Sequence, residues 1–231
     1  MDTSILTKET LAKYFDHTLL KAYATDEDLK GLCEEAKVLG CAMVAINSYP
    51  VKLCKEELKN TDIHVGAAIG FPLGQTTIAV KVYEVEQAIK DGADEIDYVL
   101  NIGKVKAHCY DYIKEEMEAI VKVCREAKII SKVIFENCYL DKEEIRQCAL
   151  IAKEVCPDFI KTSTGFGEGG ATLEDVKLMV DSVDGKVAVK AAGGIRDWPT
   201  CKAMIEVGAK RIGTTSSFKI LEGFESERGG N

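Results

Sequence analysis

Three ionisable residues stand in runs where burying a charge is expensive. Asp97 lies in "EIDYVL" (95–100), Lys161 in "DFIKTS" (158–163) and Lys190 in "KVAVKA" (186–191). These runs are short and mostly apolar, as buried strands are. Successive side chains of a strand point to opposite faces. Ile96, Tyr98 and Leu100 form the bulkier face of the first run, so Asp97 shares the other with Glu95 and Val99. Lys161 opposes Ile160 and Thr162. Lys190 opposes Val189 and Ala191. Two ammonium groups facing one carboxylate leave a positive charge uncompensated. Desolvation and like-charge repulsion then lower an amine's pKa. A neutral amine near physiological pH is a nucleophile toward carbonyl carbon, the chemistry of a Schiff-base lysine.

Glycine-bearing segments follow at neighbouring strand ends. "STGFGEGG" (163–170) follows Lys161, "AAGGIRD" (191–197) follows Lys190, and "GTTSSF" (213–218) ends the last run. Glycine lets the backbone approach a ligand and aim its N–H groups at it. Thr215 and Ser216 add hydroxyl donors. The expected ligand is a phosphorylated carbonyl compound.

Eight strand-like runs must position these residues: 14–19, 41–46, 64–69, 95–100, 132–137, 158–163, 186–191 and 211–216. Helical patterns separate them at 26–39, 50–59, 76–91, 110–128, 142–154, 172–181 and 197–207. In "TDEDLKGLCEEAKVLG", Thr25 with Asp28 makes a near capping box, Leu29, Leu32, Ala36 and Leu39 form the apolar stripe, and Gly40 closes the helix. Strands alternating with helices at under about 30 residues per unit predict an α/β fold: a single (β/α)8 TIM barrel with a short N-terminal helix. Its active site belongs at the C-terminal ends of the strands. Asp16 interrupts the first run; were that run not a strand, a doubly wound open sheet would be the rival. No linker or change of composition divides the chain, so one domain is expected over 1–231, with a mobile polar tail at 224–231.

The 231 residues are 46% hydrophobic and carry a net charge of -8. That charge argues against binding to nucleic acid or to an anionic membrane surface. No apolar run approaches the ~18 residues of a membrane span, and "MDTSILTKETLAKYF" has no signal-peptide pattern. The nine cysteines form no C-x-x-C pair and read as reduced thiols of a cytoplasmic protein. The three histidines, His17, His64 and His108, are too scattered for a metal site, and no cofactor is expected. His17, beside Asp16, is placed to support a site residue.

In these motifs the chain resembles the 2-deoxyribose-5-phosphate aldolases, class I aldolases of the (β/α)8 type. The resemblance spans nearly the whole chain. It is carried by "FDHTLLK" (15–21), "AAIGFPLG" (67–74), "DEIDYVLNIG" (94–103), "KVIFENCYL" (132–140), "DFIKTSTGF" (158–166), "VKAAGGIRD" (189–197) and "RIGTTSS" (211–217). It implies that Lys161 forms the Schiff base, that Lys190 depresses its pKa, and that Asp97 assists proton transfer through an ordered water. It implies substrate contacts at Asp16, Thr18 and Thr162, and phosphate contacts at Gly165, Gly193, Gly194, Gly213, Thr215 and Ser216. The implied reaction cleaves 2-deoxy-D-ribose 5-phosphate to D-glyceraldehyde 3-phosphate and acetaldehyde, without a cofactor, in a homodimer. Another Schiff-base sugar-phosphate aldolase, a transaldolase, or a silent sugar-phosphate-binding barrel are the alternatives. Three features depart from the family pattern. Ala45 replaces a cysteine, Ser217 replaces a glycine, and the C-terminus "ERGGN" lacks a tyrosine that some members use to relay protons.

Overall fold

The apolar runs pair edge to edge in chain order, and the last pairs with the first. In the computed structural model, which describes residues 2–229, all eight pairings are parallel and the sheet closes into a barrel. The strands are β1 (Phe15–Leu19), β2 (Met43–Asn47), β3 (His64–Ile69), β4 (Glu95–Val99), β5 (Ile130–Ile134), β6 (Phe159–Lys161), β7 (Ala188–Ala192) and β8 (Arg211–Thr214). Closure runs through β1, where Phe15 pairs with Ile212 and Asp16 with Gly213. The doubly wound alternative is thereby excluded.

The helices are α1 (Lys8–Ala12), α2 (Asp26–Leu39), α3 (Val51–Glu57), α4 (Ile78–Lys90), α5 (Ile102–Lys106), α6 (Tyr110–Ala127), α7 (Lys142–Val155), α8 (Leu173–Val183), α9 (Trp198–Glu206) and α10 (Ser217–Gly229). α2 forms as its sequence dictates. Thr25 Oγ1 accepts from Asp28 N at 3.2 Å, and Asp28 Oδ2 accepts from Thr25 N at 2.8 Å. Gly40 ends the helix at φ +63°. α5 and α10 are additions to the pattern read from sequence. Residues 224–229, expected as a mobile tail, instead continue α10. Phe224 is buried edge-on against Trp198, with ring centroids 4.9 Å apart, and Trp198 Nε1 donates to Glu227. Met1, Gly230 and Asn231 lie outside the described residues.

The outer strand faces and the helices share one apolar layer, into which Val44, Val65, Ile96, Tyr98, Val133, Ile160, Val189 and Ile212 all pack. The barrel interior is of mixed character. Met43 occupies the side at β2 and β3, where Gly66 makes room for it: a Cβ there would lie 2.3 Å from the Met43 sulfur. Charged residues of β1, β4, β5, β6, β7 and β8 fill the rest.

Candidate active site

β4 supplies the centre of the charged layer. Asp97 is 3% exposed and accepts from three ammonium groups. Lys132 donates to its Oδ1 at 2.8 Å. Lys161 and Lys190 donate to its Oδ2 at 2.8 and 2.6 Å. The register explains the convergence. Asp97 pairs with Lys132, Lys161 with Lys190 and Lys190 with Arg211, so neighbouring inward positions stack side by side. Strand parity therefore brings Asp97, Lys161 and Lys190 together as their positions predicted.

Three further charges and a histidine complete the network. Asp16 of β1 pairs with Lys190 and accepts from Arg211 Nε at 2.6 Å. Glu95 pairs with Lys132, and Arg211 lies 3.1 Å from its Oε1. His64 Nδ1 meets the same Oε1 at 2.7 Å from the N-terminal end of the barrel. Among the described residues the barrel thus holds Lys132, Lys161, Lys190 and Arg211 against Asp16, Glu95 and Asp97, one cation in excess. Lys132, Lys190 and Arg211 each bridge two carboxylates. Lys161 has only Asp97, and shares it.

That asymmetry bears on the proton of Lys161. Burial pulls Lys161 down to about 8; Asp97 opposes the fall, and Lys190 and Lys132 add to it. Lys132 is as deeply buried, but Asp97 and Glu95 together outweigh the loss of water and hold its pKa above the usual lysine value. Burial would raise the Asp97 carboxyl, yet the three lysines hold it well below the carboxylate range. Asp97 is an anion, and the Lys161 amine is brought toward neutrality.

Lys132 escaped the sequence reading because the fifth run was taken to begin there. The strand begins at Ile130, which makes Lys132 an interior third residue. Ile130, Lys132 and Ile134 on one face, against Val133 and Phe135 on the other, was the available sign. Arg211, the first residue of β8, was not among the predicted site residues. A second buried pair clamps the end of β4: Lys81 Nζ donates to Val99 O and Glu116 Oε1, both at 2.6 Å, while Glu116 Oε2 accepts from Asn101 N at 3.0 Å.

The remaining predicted positions separate. Thr162 is fully buried and points away from Lys161. Its hydroxyl donates to Ala192 O and accepts from Ala192 N, both at 3.1 Å, so it ties β6 to β7 and is not free to bind substrate. Asp16 lies wholly inside the ion network. Thr18 is partly exposed, with its hydroxyl donated to Asp16 O at 2.9 Å. It lines a cleft of about 510 Å3 with Lys21, Glu35 and Thr215. Gly213 belongs to β8 rather than to a loop; a Cβ there would lie 3.2 Å from Lys190 Cε, so its lack of a side chain makes room for that lysine. Gly193 packs on the neighbouring loop, where Ala171 N donates to its carbonyl at 3.0 Å. Gly165 and Gly194, at φ +90° and +80°, present open backbone. Thr214 Oγ1 donates to Ile195 O at 2.7 Å, joining the loop of Gly194 to that of Thr215 and Ser216 at the α10 N-terminus.

Ser217 is fully buried and bonds His17 Nδ1 at 3.0 Å, and His17 Nε2 meets Glu35 at 2.8 Å. His17 therefore ties β1 to α10 and α2. A second cleft, of about 530 Å3 and mostly apolar, opens between Pro72, Leu73, Ile102, Glu136, Tyr139, Thr164 and Phe166. Among the described residues no three His, Cys, Asp or Glu side chains are grouped to hold a metal ion, and no helix is long and apolar enough to cross a membrane.

Comparison with known proteins agrees with this fold. The profile of the DeoC/LacD family aldolases matches residues 10–222. A deoxyribose-phosphate aldolase of Lactobacillus acidophilus is 56% identical over 216 residues, covering 94% of this chain and 91% of that one. Its counterpart in Thermococcus gammatolerans is 54% identical, covering 92% and 96%. The solved tetrameric deoxyribose phosphate aldolase of Aeropyrum pernix matches with a TM-score of 0.89 at 29% identity, covering 96% and 93%.

Proposed function

The chain belongs to the DeoC/LacD family of aldolases, and from that membership we propose that Lys161 is the amine through which it works. The activity is the reversible class I aldol cleavage of 2-deoxy-D-ribose 5-phosphate to D-glyceraldehyde 3-phosphate and acetaldehyde. The observation that carries the role of Lys161 is its position as the buried cation with a single, shared carboxylate. Neutral Lys161 attacks C1 of the open-chain sugar, and loss of water leaves an iminium. A base takes the C3 hydroxyl proton, and the C2–C3 bond breaks with its electrons drawn into an enamine. Glyceraldehyde 3-phosphate departs. Protonation of the enamine at C2 and hydrolysis release acetaldehyde and restore the amine. Asp97 and Lys190, joined at 2.6 Å beside the reacting nitrogen, share the proton transfers with water. The loops of Gly194, Thr215 and Ser216 take the phosphate, aided by the N-terminus of α10. Thr18 contacts the sugar. We further propose a single-domain homodimer, to be weighed by light scattering, and a cytoplasmic location, in keeping with nine free thiols of which six are buried.

Borohydride trapping with acetaldehyde, followed by peptide mapping, tests the nucleophile. The expected result is one ethyl adduct, on Lys161, absent from Lys161→Arg. Adducts scattered over surface lysines, or none at all, would refute the assignment.

The same trapping rate carries a pH signature. Because Lys161 loses its proton at about 8, the rate should rise about tenfold per pH unit below that value and level off above it. Lys190→Met removes a positive neighbour and frees Asp97 for Lys161, and both changes raise the amine's pKa. The break in the profile should therefore move to higher pH. A break that stays in place or moves down would rule out Lys190 as the group that depresses Lys161.

A further inference from the structure

One buried carboxylate near the reacting lysine has no part in the chemistry above. Glu136 follows β5 and is 1% exposed. Its φ of +57° lies in the left-handed region that non-glycine residues rarely occupy. Such a conformation persists where surrounding contacts over-determine it. Phe135 N donates to Lys161 O at 3.0 Å and Asn137 N to Thr162 O at 2.9 Å, so the backbone on either side of Glu136 is tied to the end of β6. Its carboxylate takes both donors of one residue. Oε1 accepts from Thr164 N at 3.1 Å, and Oε2 accepts from the Thr164 hydroxyl. Gly167 closes over the pair, for a Cβ there would lie 3.1 Å from Glu136 Cδ and 2.7 Å from Cys138 Sγ. Glu136 and Thr164 both line the 530 Å3 cleft.

A threonine hydroxyl has one proton and two lone pairs. Here the proton goes to Glu136, and one lone pair accepts from Phe166 N at 3.0 Å. What remains for the cleft is an acceptor, which suits a substrate hydroxyl and not a carbonyl oxygen. The charged and titratable groups around Glu136 are few. Lys161 of β6 acts on it through space, with its ammonium held by Asp97 inside the barrel. Lys106 of α5 lines the same cleft, with its Nζ held by Glu144 of α7 at 2.7 Å. Cys138, Tyr139 and Glu168 complete the surroundings on the loops. From inside the barrel Lys161 meets Asp97, Lys132 and Lys190. Burial pushes the Glu136 carboxyl up, while the Thr164 bonds and the Lys161 charge pull it back.

We propose that Glu136 is a positioning residue for the aldol step: it takes the Thr164 proton, so that the Thr164 oxygen accepts a substrate hydroxyl beside Lys161, and its carboxylate supplies negative charge on the cleft side of that lysine. The assignment rests on Lys161 being the Schiff-base amine. Glu136→Gln preserves length and an acceptor for Thr164 N. Its amide would donate to Thr164 Oγ1 and so reverse the hydroxyl.

The expected result is a fall of about tenfold or more in kcat/KM for 2-deoxyribose 5-phosphate, the scale of one misdirected hydrogen bond. The break in the trapping profile should also move to lower pH, because an anionic neighbour is gone. Thr164→Val keeps the charge and removes the acceptor; it should lower kcat/KM without shifting the break. An unmoved break with a lowered Tm in Glu136→Gln would make its role purely architectural and overturn the proposal. Unchanged kcat/KM in Thr164→Val would overturn it too, and that variant decides if Glu136→Gln does not fold. Trapping in the wild type separates the two readings. No adduct on Lys161 there defeats the Schiff-base assignment. An adduct with identical pH dependence in wild type and Glu136→Gln defeats the Glu136 assignment alone.

Discussion

Lys161→Met is expected to abolish turnover and, at neutral pH, to make the protein more stable. Loss of a covalent nucleophile removes about 10^4-fold or more of the rate. The gain in stability follows from the charge layer. Lys161 is the excess cation, and its pKa falls from 10.5 in water to about 8 in the fold. At about 1.4 kcal/mol per pKa unit, holding that lysine charged in place costs about 3 kcal/mol. The sign is fixed by linkage. A lysine whose folded pKa is depressed carries its full penalty below the folded value. The penalty is relieved as pH rises from about 8 toward 10.5, because the unfolded chain binds the extra proton there. Methionine removes the penalty at every pH and leaves three cations against three carboxylates. The loss of one hydrogen bond to Asp97 offsets part of the gain, since Lys132 and Lys190 still hold that carboxylate. A net gain of about 1–2 kcal/mol would raise Tm by about 2–8 °C for a chain of this size. Thermal unfolding at pH 6, 7 and 10 checks it. The variant should exceed wild type at the lower two values, and the gap should narrow at the third. A variant less stable than wild type at pH 7 would show that Lys161 is well compensated where it stands.

Asp97→Asn should have the opposite effect on stability. The carboxylate is the shared acceptor of three ammonium groups, all nearly inaccessible to water. Its replacement leaves four interior cations against Asp16 and Glu95 alone. Removing one partner of a buried ion network costs about 3–5 kcal/mol, because the remaining charges stay buried. If Asp97 shares the proton transfers as proposed, turnover should fall by about 10^2- to 10^4-fold. The informative experiment is the double variant. Asp97→Asn with Lys161→Met removes one charge of each sign, so the double variant should be more stable than Asp97→Asn alone by more than Lys161→Met gains in the wild-type background. Strict additivity in denaturant unfolding would mean that the two groups do not sense each other.

The same contrast shows how far the sequence could be read. Asp97, Lys161 and Lys190 were assigned to the interior from strand parity alone, and the structure joins them through one carboxylate. Lys132 was lost to an error of two residues at a strand start. Such an error removes an interior group from view while leaving the strand itself recognisable. Thr162 failed for another reason. Adjacency to Lys161 in sequence placed it on the opposite face, where the backbone of β7 takes its hydroxyl. Gly213 also makes room for Ala192 and Lys190, a role its place in the sequence did not reveal. Glu136 continues the face of Lys132 and Ile134 in the run 132–137, but β5 ends at Ile134 and the chain leaves the extended conformation at Glu136, so parity could not say where its carboxylate goes.

By itself the sequence determined the alternation of strands and helices, the closing caps such as Thr25 with Gly40, and the faces of β4, β6 and β7 on which Asp97, Lys161 and Lys190 lie. These are consequences of local geometry: helical and strand periods, and the conformations that single residues allow. Only the tertiary structure decided which charges meet. Ionisation depends on through-space distance and on exclusion of water, and both are set by barrel closure and register rather than by spacing along the chain. Lys190 gained Asp16 from β1, Lys132 gained Glu95 from β4, and Lys161 was left with a share of Asp97. That unequal division leaves Lys161 with the least compensated charge, which is the ground for proposing it as the nucleophile.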